Sequence, residues 1–491
     1  MNMNPITMKY SITIFVIIAL SYFYYSFSYY PLLNSDDALS VLMAHYYQFP
    51  KDLYCWGQDR GGTLIPMLSQ FFIQVFGSSA LTAVSLSSYL ILIIGFLSLS
   101  SLIQSNYYKL IFAIFWFLPF QRFIDLLRFP IGVEYSLLGL AIFLFYKLER
   151  IDPLQKFSKH ALVVAIIVIL TLAVWVSDLA MVSILVLMGI LFLFHCIKKN
   201  SIVVNRMTWV YSIIGIIICF TFITYAKSFA IIKTKNYLSI NGLNEIEQSL
   251  QIIRDAFWTC LTFNSKETIV NSYIYLVIFF IIYFSYFIFN KKAIKELASN
   301  KWISFFAADT VAIFITFLLS SWVLANGMGR WYFVASYISL SLTIILALDL
   351  LEKRFNLKYL RIGILLIALV GALSPIYTMK YVRPKTLRPM AEVVGELKQL
   401  GEIGLIAEYW NSYINSCPDP ELIVVSPHDQ LGSRNQAIVD KLFTRKNIYV
   451  IKDMWLEEFP DTLYQYGHTL VKVGDQFKLA GSDLCKYEKV K

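Results

Sequence analysis

Asp36 and Asp37 stand side by side in the segment Asn34-Ser35-Asp36-Asp37-Ala38. Ser35 is a good helix cap, and the DALSVLMAHYYQF stretch that opens with Asp37 is apolar along one helical face. Both acids are therefore expected in a first helical turn. Unpaired N–H groups there favour ionised carboxylates, whereas mutual repulsion and burial oppose them. A carboxylate poised between these influences can act as a general base that takes a proton from a hydroxyl. The same residues can equally be plain helix caps. His45 lies on the same segment, and Cys55-Trp56-Gly57-Gln58-Asp59-Arg60-Gly61-Gly62 follows it, so polar groups crowd residues 31–62.

Four arginines stand out as possible anion contacts: Arg60, Arg122 and Arg128 in QRFIDLLRFP, and Arg330 in NGMGRWYF. Arginine stays charged and offers paired donors to phosphate oxygens, although at a span end it can also simply reach for the interface. Trp56, Trp331 and Tyr332 can stack on sugar rings or belong to an interfacial aromatic belt. With His45, Gln58, Asp59 and Trp410 they make up the other candidate contact residues. Trp410 stands in Glu408-Tyr409-Trp410-Asn411, which follows a strand-like run, as does Pro427-His428-Asp429. Polar residues at strand ends line sites or close turns with equal frequency. The histidines show no metal-ligand spacing, so the metal ligands stay unknown, though a divalent cation could take part. The sequence has no GxGxxG after a strand, no P-loop and no nucleophile elbow, which leaves nucleotide chemistry without support.

The elements that must position these groups are mostly apolar. Hydrophobic residues make up 58% of the 491, charged residues only 15%, and the mean hydropathy is +0.62. A soluble chain carries about 25% charged residues, so this composition excludes a soluble enzyme. Apolar runs fall at 10–30, 83–104, 108–121, 131–147, 161–177, 179–197, 208–226, 271–290, 303–324, 332–350 and 362–379. They predict a polytopic α-helical membrane protein of about eleven spans. Residues 63–77 are apolar but too short to cross, and are expected at the outer surface or partway into the membrane. The first run exceeds a signal-peptide core and lacks a small-residue cleavage site, so it is expected to be retained as a span. Asp309, Asp349 and Glu134 are the exceptions to the uncharged spans and are expected near span ends.

Lysine and arginine concentrate in alternate loops, among them Lys147, Arg150, Lys156 and Lys159, then Lys198, Lys199 and Arg206, then Lys291, Lys292, Lys295 and Lys301, then Lys353, Arg354, Lys358 and Arg361. By the positive-inside rule these loops and the N-terminus face the cytoplasm, which places residues 31–82 and everything after about 380 outside. Topology thus accounts for the net charge of +10 without nucleic acid as a partner. Residues 380–491 contain 15 basic and 15 acidic residues, the balance of a solvated domain. A helical stretch at Pro389–Leu400 and strand-like runs at Gly404–Glu408, Leu422–Ser426, Ile448–Ile451 and Thr469–Val473 predict a small α/β domain. Its linker, Arg383-Pro384-Lys385 to Arg388-Pro389, is stiff and basic. Four cysteines fall outside, and Cys417 with Cys485 is the most economical pairing, set evenly against free thiols.

A first span, an outer loop opening on an acidic pair, a surface helix, many further spans and a C-terminal soluble domain: this layout, with Asn34–Ala38, resembles the GT-C superfamily of integral-membrane glycosyltransferases. Protein O-mannosyltransferases, lipid A aminoarabinose transferases and serotype-converting O-antigen glucosyltransferases belong to it. The resemblance covers the spans well and the tail weakly. It implies that Asp36 or Asp37 is the base for the acceptor hydroxyl or a metal contact, with Asp36, first of the pair, the more often catalytic in the family. The donor it implies is a polyprenyl phosphate sugar, bound through Arg60, Arg122, Arg128 and Arg330, with His45, Trp56, Gln58, Asp59, Trp331, Tyr332 and Trp410 as the sugar and acceptor contacts. The domain arrangement expected is a GT-C-like membrane part over 1–379 and an outer α/β domain over 380–491.

The resulting expectation is an inverting transferase moving a hexose, glucose foremost, from the lipid carrier to a glycan or glycolipid such as O-antigen at the outer face of a bacterial inner membrane. A lipid A or phospholipid-modifying transferase of the same fold, a lipid flippase, and a surface-polysaccharide polymerase or ligase are the rivals. The charge asymmetry carries a direct test. A C-terminal reporter active only in the cytoplasm should be silent, and activity there would invert the topology that places Asp36 outside.

Overall fold

The computed structural model describes residues 5–128, 130–151, 156–198, 206–232, 239–262, 265–288, 290–382 and 387–490. Two compact units emerge. One gathers residues 1–21, 90–221 and 235–385; the other gathers 22–89, 222–234 and 386–491. The linker residues Arg383, Pro384 and Lys385 lie outside the described residues.

Among the described residues nine helices are long and apolar enough to cross a membrane, or eleven if two bent helix pairs each count as one span. One bend falls inside the run expected at 108–121. The helix Asn106–Phe117 stops at Leu118 and a 3-10 helix, Gln121–Leu127, continues at 91° to it. Pro119 is the cause. It lacks an N–H, and its ring disfavours helical backbone at Leu118, which sits at φ −126° and ψ 59°. Gly132 then lets the next helix, Pro130–Leu148, press against this turn. A β-carbon there would lie 1.8 Å from the carbonyl oxygen of Leu126.

The charged residues of this unit depart from expectation at one position. Asp349 lies near the end of its helix, Val334–Leu351, where its carboxylate accepts the backbone N–H groups of Gln104 (2.7 Å) and Ser105 (3.0 Å). Glu134 lies in the second turn of Pro130–Leu148 and is fully buried. Asp309, expected near a span end, instead occupies the middle of Lys301–Leu319. It is buried there, and the hydroxyls of Tyr135 (2.6 Å) and Ser339 (2.5 Å) donate to its Oδ2, which replaces part of the water it has lost.

The second unit is built on a seven-stranded sheet: β1 Ile403–Ala407, β2 Ile423–Pro427, β3 Asn447–Ile451, β4 Thr462–Gln465, β5 His468–Lys472, β6 Phe477–Leu479 and β7 Ser482–Lys489. Its order is β2-β1-β3-β7-β5-β4, with β6 paired to β7. The first three strands are parallel and their residues almost wholly buried, which explains their near-continuous apolar sequence. The other pairings are antiparallel, and two of them, β4 with β5 and β6 with β7, are hairpins closed by two-residue turns at Tyr466-Gly467 and Ala480-Gly481, all four residues at positive φ, the backbone such hairpins require. The expected helix at 389–400 divides into Met390–Val394 and a 3-10 turn, Gly395–Leu400.

Two segments from the first loop share this core. The helix Ser35–His45 packs Ala38, Val41 and Leu42 into the same buried cluster as Tyr413, Ile414 and Cys417. Residues 63–77 form a 13-residue helix, Leu64–Phe76, closed by Gly77 at φ +61° and about 20 Å long, short of a span as expected. The pairing of Cys417 with Cys485 is not made. Both thiols are free and buried in different settings: Cys417 Sγ lies 3.9 Å from the Ala38 carbonyl and Cys485 Sγ 3.8 Å from that of Gly474.

Gly132→Ala should destabilise the purified protein by ~1–3 kcal/mol, because its new methyl meets backbone rather than a side chain that can turn away. Gly189→Ala, with no atom within 4 Å of its added carbon, is the control and should hold or gain stability. Thermal unfolding in detergent compares the two.

Candidate functional site

The start of the Ser35–His45 helix separates the paired aspartates. Asn34, not Ser35, is the N-cap: its side-chain oxygen accepts the Asp37 N–H at 3.0 Å, and Asp37 Oδ2 accepts the Asn34 N–H at 3.2 Å. This reciprocal capping box satisfies two helix-start donors at once, and it buries Asp37. Ser35, displaced from the cap role, accepts the backbone N–H of Tyr413 at 3.2 Å through its hydroxyl. Asp36 points elsewhere. It is half-buried, and its Oδ1 accepts the hydroxyl of Tyr409 at 2.5 Å.

Tyr409 stands at the carboxyl end of β1, where it opens a short turn, Tyr409–Ser412. The Glu408 N–H (3.2 Å) and the Asn411 side-chain amide (2.9 Å) donate to opposite oxygens of Asp453, which follows β3, and so pin that turn. Burial raises the Asp453 carboxyl above the usual carboxylate range, with those two bonds opposing it. Over the Tyr409 ring lies the Arg434 guanidinium, 4.5 Å from its centroid. Arg434 donates two hydrogen bonds to Asp429, one of 3.0 Å from Nε to Oδ1. Burial works against the Arg434 charge, but the Asp429 carboxylate more than offsets it and raises the guanidinium above its ordinary value. His428 stacks on Trp455 at 4.2 Å, and burial lowers its imidazole despite the acids around it. Trp410 is 57% exposed.

These loops all leave the carboxyl ends of the parallel strands β2, β1 and β3. Chain direction reverses about β1, so this is the edge at which open α/β sheets hold ligands. Burial, and after it the nearby Asp36 carboxylate, push the Cys55 thiol up to about 12. In the same loop Arg60 Nε donates to Gln58 at 3.3 Å, beside Asp59. Trp56 is buried edge-on to Tyr413, 6.3 Å between rings. Gly57, at φ +68°, lies so close to Ser433 that a β-carbon would come within 2.6 Å of its Cα. His45 Nε2 is 2.8 Å from Glu421.

The second unit therefore holds Asp36, Asp37, His45, Trp56, Gln58, Asp59, Arg60 and Trp410. The other unit holds Arg122, Arg128, Arg330, Trp331 and Tyr332 on two 3-10 helices, Gln121–Leu127 with its following residue and Arg330–Phe333, which pack on each other. Arg122 Nε donates to Asn271 at 2.9 Å. The Arg128 side chain is 3% exposed and 3.8 Å from Asp125. Trp331 and Tyr332 lie with ring centroids 5.6 Å apart, and Arg330 opens its helix. Among the described residues no group of three or more His, Cys, Asp and Glu is arranged to hold a metal. Sequence reasoning marked the Glu408–Asn411 turn but missed Tyr409 as a partner of Asp36, and nothing local marked Arg434 or Asp453.

No family model matches the chain, and no curated protein sequence matches it. Similar solved structures include ArnT from Cupriavidus metallidurans in the apo state, with 11% identity, 98% of this chain and 97% of that chain covered and a TM-score of 0.48. ArnT from the same organism bound to undecaprenyl phosphate shows 11% identity, the same coverage and a TM-score of 0.47. The oligosaccharyltransferase AglB from Archaeoglobus fulgidus, in complex with an inhibitory peptide and a dolichol-phosphate, is 12% identical over 91% of this chain and 70% of its own, with a TM-score of 0.42.

Proposed function

We propose that this protein is an inverting membrane glycosyltransferase that moves a hexose from a polyprenyl phosphate to a surface glycan, O-antigen in the first instance, at the outer face of a bacterial inner membrane. The observation that carries the reading is the unequal fate of the two aspartates. Asp37 is spent on its helix cap. The Tyr409 hydroxyl donates to Asp36 beside the carboxyl ends of the parallel strands, and an ionised carboxylate offers several acceptor sites, so it can still take a proton from a hydroxyl. An acceptor hydroxyl gives its proton to Asp36 as its oxygen bonds to the anomeric carbon. The bond from that carbon to the phosphate oxygen breaks on the opposite face, and the lipid phosphate departs with the electron pair.

Arginine guanidiniums suit the charge that grows on that phosphate. Arg60 belongs to the loop that follows Asp36, and Arg122 and Arg330 to the packed 3-10 helices. Arg128, already facing Asp125, is the least suited of the four. Exposed Trp410 offers a ring face for a sugar. A divalent cation near Asp36 would add to phosphate neutralisation without changing these assignments.

One observation favours a second reading, a lipid-sugar transporter: buried ionisable groups within spans mark transport paths, and Asp309 and Glu134 are such groups. Lipid-linked sugar accumulating on the inner leaflet of cells without the protein would decide for it.

Asp36→Asn should keep membrane level and donor binding yet lose about 10²–10⁴ in transfer rate, as removal of a general base does. Asp37→Asn should transfer nearly normally, because an amide oxygen can still cap. Transfer assays in membranes separate them, and near-normal transfer by the double variant would end the glycosyltransferase reading.

Arg60→Ala and Arg330→Ala should weaken apparent donor affinity by about 1.5–3 kcal/mol, the worth of a hydrogen bond to a charged group, and leave acceptor affinity nearly unmoved. Unchanged donor affinity in both folded variants would move the phosphate site elsewhere.

A further inference from the structure

The side chain of Asp36 accepts a hydrogen bond from the hydroxyl of Tyr409, 373 residues away in the chain. We infer that Tyr409 is the positioning residue for Asp36, and that Arg434 and Asp429 hold Tyr409 in turn. The inference rests on the reading of Asp36 as the base.

The chain of support runs through fixed elements. β1 is buried at all five residues, so the Tyr409 backbone leaves a rigid strand. Asp453 ties down the next turn from two sides through Glu408 and Asn411. The ring has the Arg434 guanidinium above it and the Tyr413 ring edge-on, 6.0 Å between centroids. Arg434 cannot swing away without breaking its two-pronged contact with Asp429, which itself accepts the Leu431 N–H at 3.2 Å. Burial, and then the charge of Asp36, raise the Tyr409 hydroxyl well above its ordinary value. The phenol therefore keeps its proton and serves as a donor to Asp36, never as its rival for the acceptor's proton. With Oδ1 held by Tyr409, the carboxylate is oriented, and the proton it takes comes from the acceptor hydroxyl.

Loss of such orientation lowers turnover without touching substrate affinity. Tyr409→Phe keeps the ring, its packing and its contact with Arg434, and removes only the donor. Sugar transfer is measured in membranes for the wild type, Y409F, D36N and Y409F/D36N, with thermal unfolding of each purified protein. The expected result is a roughly tenfold fall in kcat for Y409F, unchanged KM for donor and acceptor and unchanged unfolding. On the D36N background the second change should have no further effect, since Tyr409 acts only through Asp36. Wild-type turnover in Y409F with D36N inactive would overturn the positioning role and leave the glycosyltransferase reading standing. Equal losses on both backgrounds would overturn it too, because Tyr409 would then act independently of Asp36. Near-normal transfer by D36N would remove the base assignment itself, and this inference with it.

Discussion

A helix begins with four backbone N–H groups that have no partner inside it, and something outside the helix must accept them. In Ser35–His45 the need is met by Asn34 and Asp37, each side chain serving the other's backbone. That exchange commits one of two adjacent acids to structure. Successive helical residues point about 100° apart, so the cap that fixes Asp37 also fixes where Asp36 emerges. From that direction it meets Tyr409, and everything proposed about the site follows from this division of labour.

The sheet is the counterpart of the cap. A parallel strand leaves its carboxyl end open to a loop, and three adjacent ends bring together Tyr409, Arg434 and Asp453 from three different loops. None of these residues is remarkable alone. Arg434 gains its worth from having both a carboxylate and a ring to satisfy: Asp429 neutralises it, and its face then covers Tyr409. Opposed costs of burial are met locally at each point, which is how a polar cluster can be half-buried and still be stable.

Much of this was legible in the sequence, and the limits have physical causes. β1, β2 and β3 are readable because strands buried on both faces are continuously apolar. β4, β6 and β7 escaped because they are short or partly exposed, lack a continuous apolar run and owe their state to partners; Tyr466-Gly467 and Ala480-Gly481 were the available turn signals. The span at 108–121 hid its bend, although Pro119 lies within it. Asn34 and Ser35 are both capping residues; the reciprocal bonds of Asn34 with Asp37, and the contact of Ser35 with Tyr413, decide between them. The acid pair was visible at once. Its partner Tyr409 was not, because no local pattern links residues so far apart.

The helix Ser35–His45 and the turn around Tyr413–Ser416 bury their apolar side chains in one cluster. Its consequence is for how the chain can be divided. The charge-balanced tail looks like a module that could be produced alone, but cutting near 380 would strip Ala38, Val41 and Leu42 from Ile414 and Cys417. The severed piece would show water a patch of core, and such surfaces adhere to one another. Exchange of this domain between related chains would meet the same obstacle, because the tail and the first loop would have to travel as a matched pair.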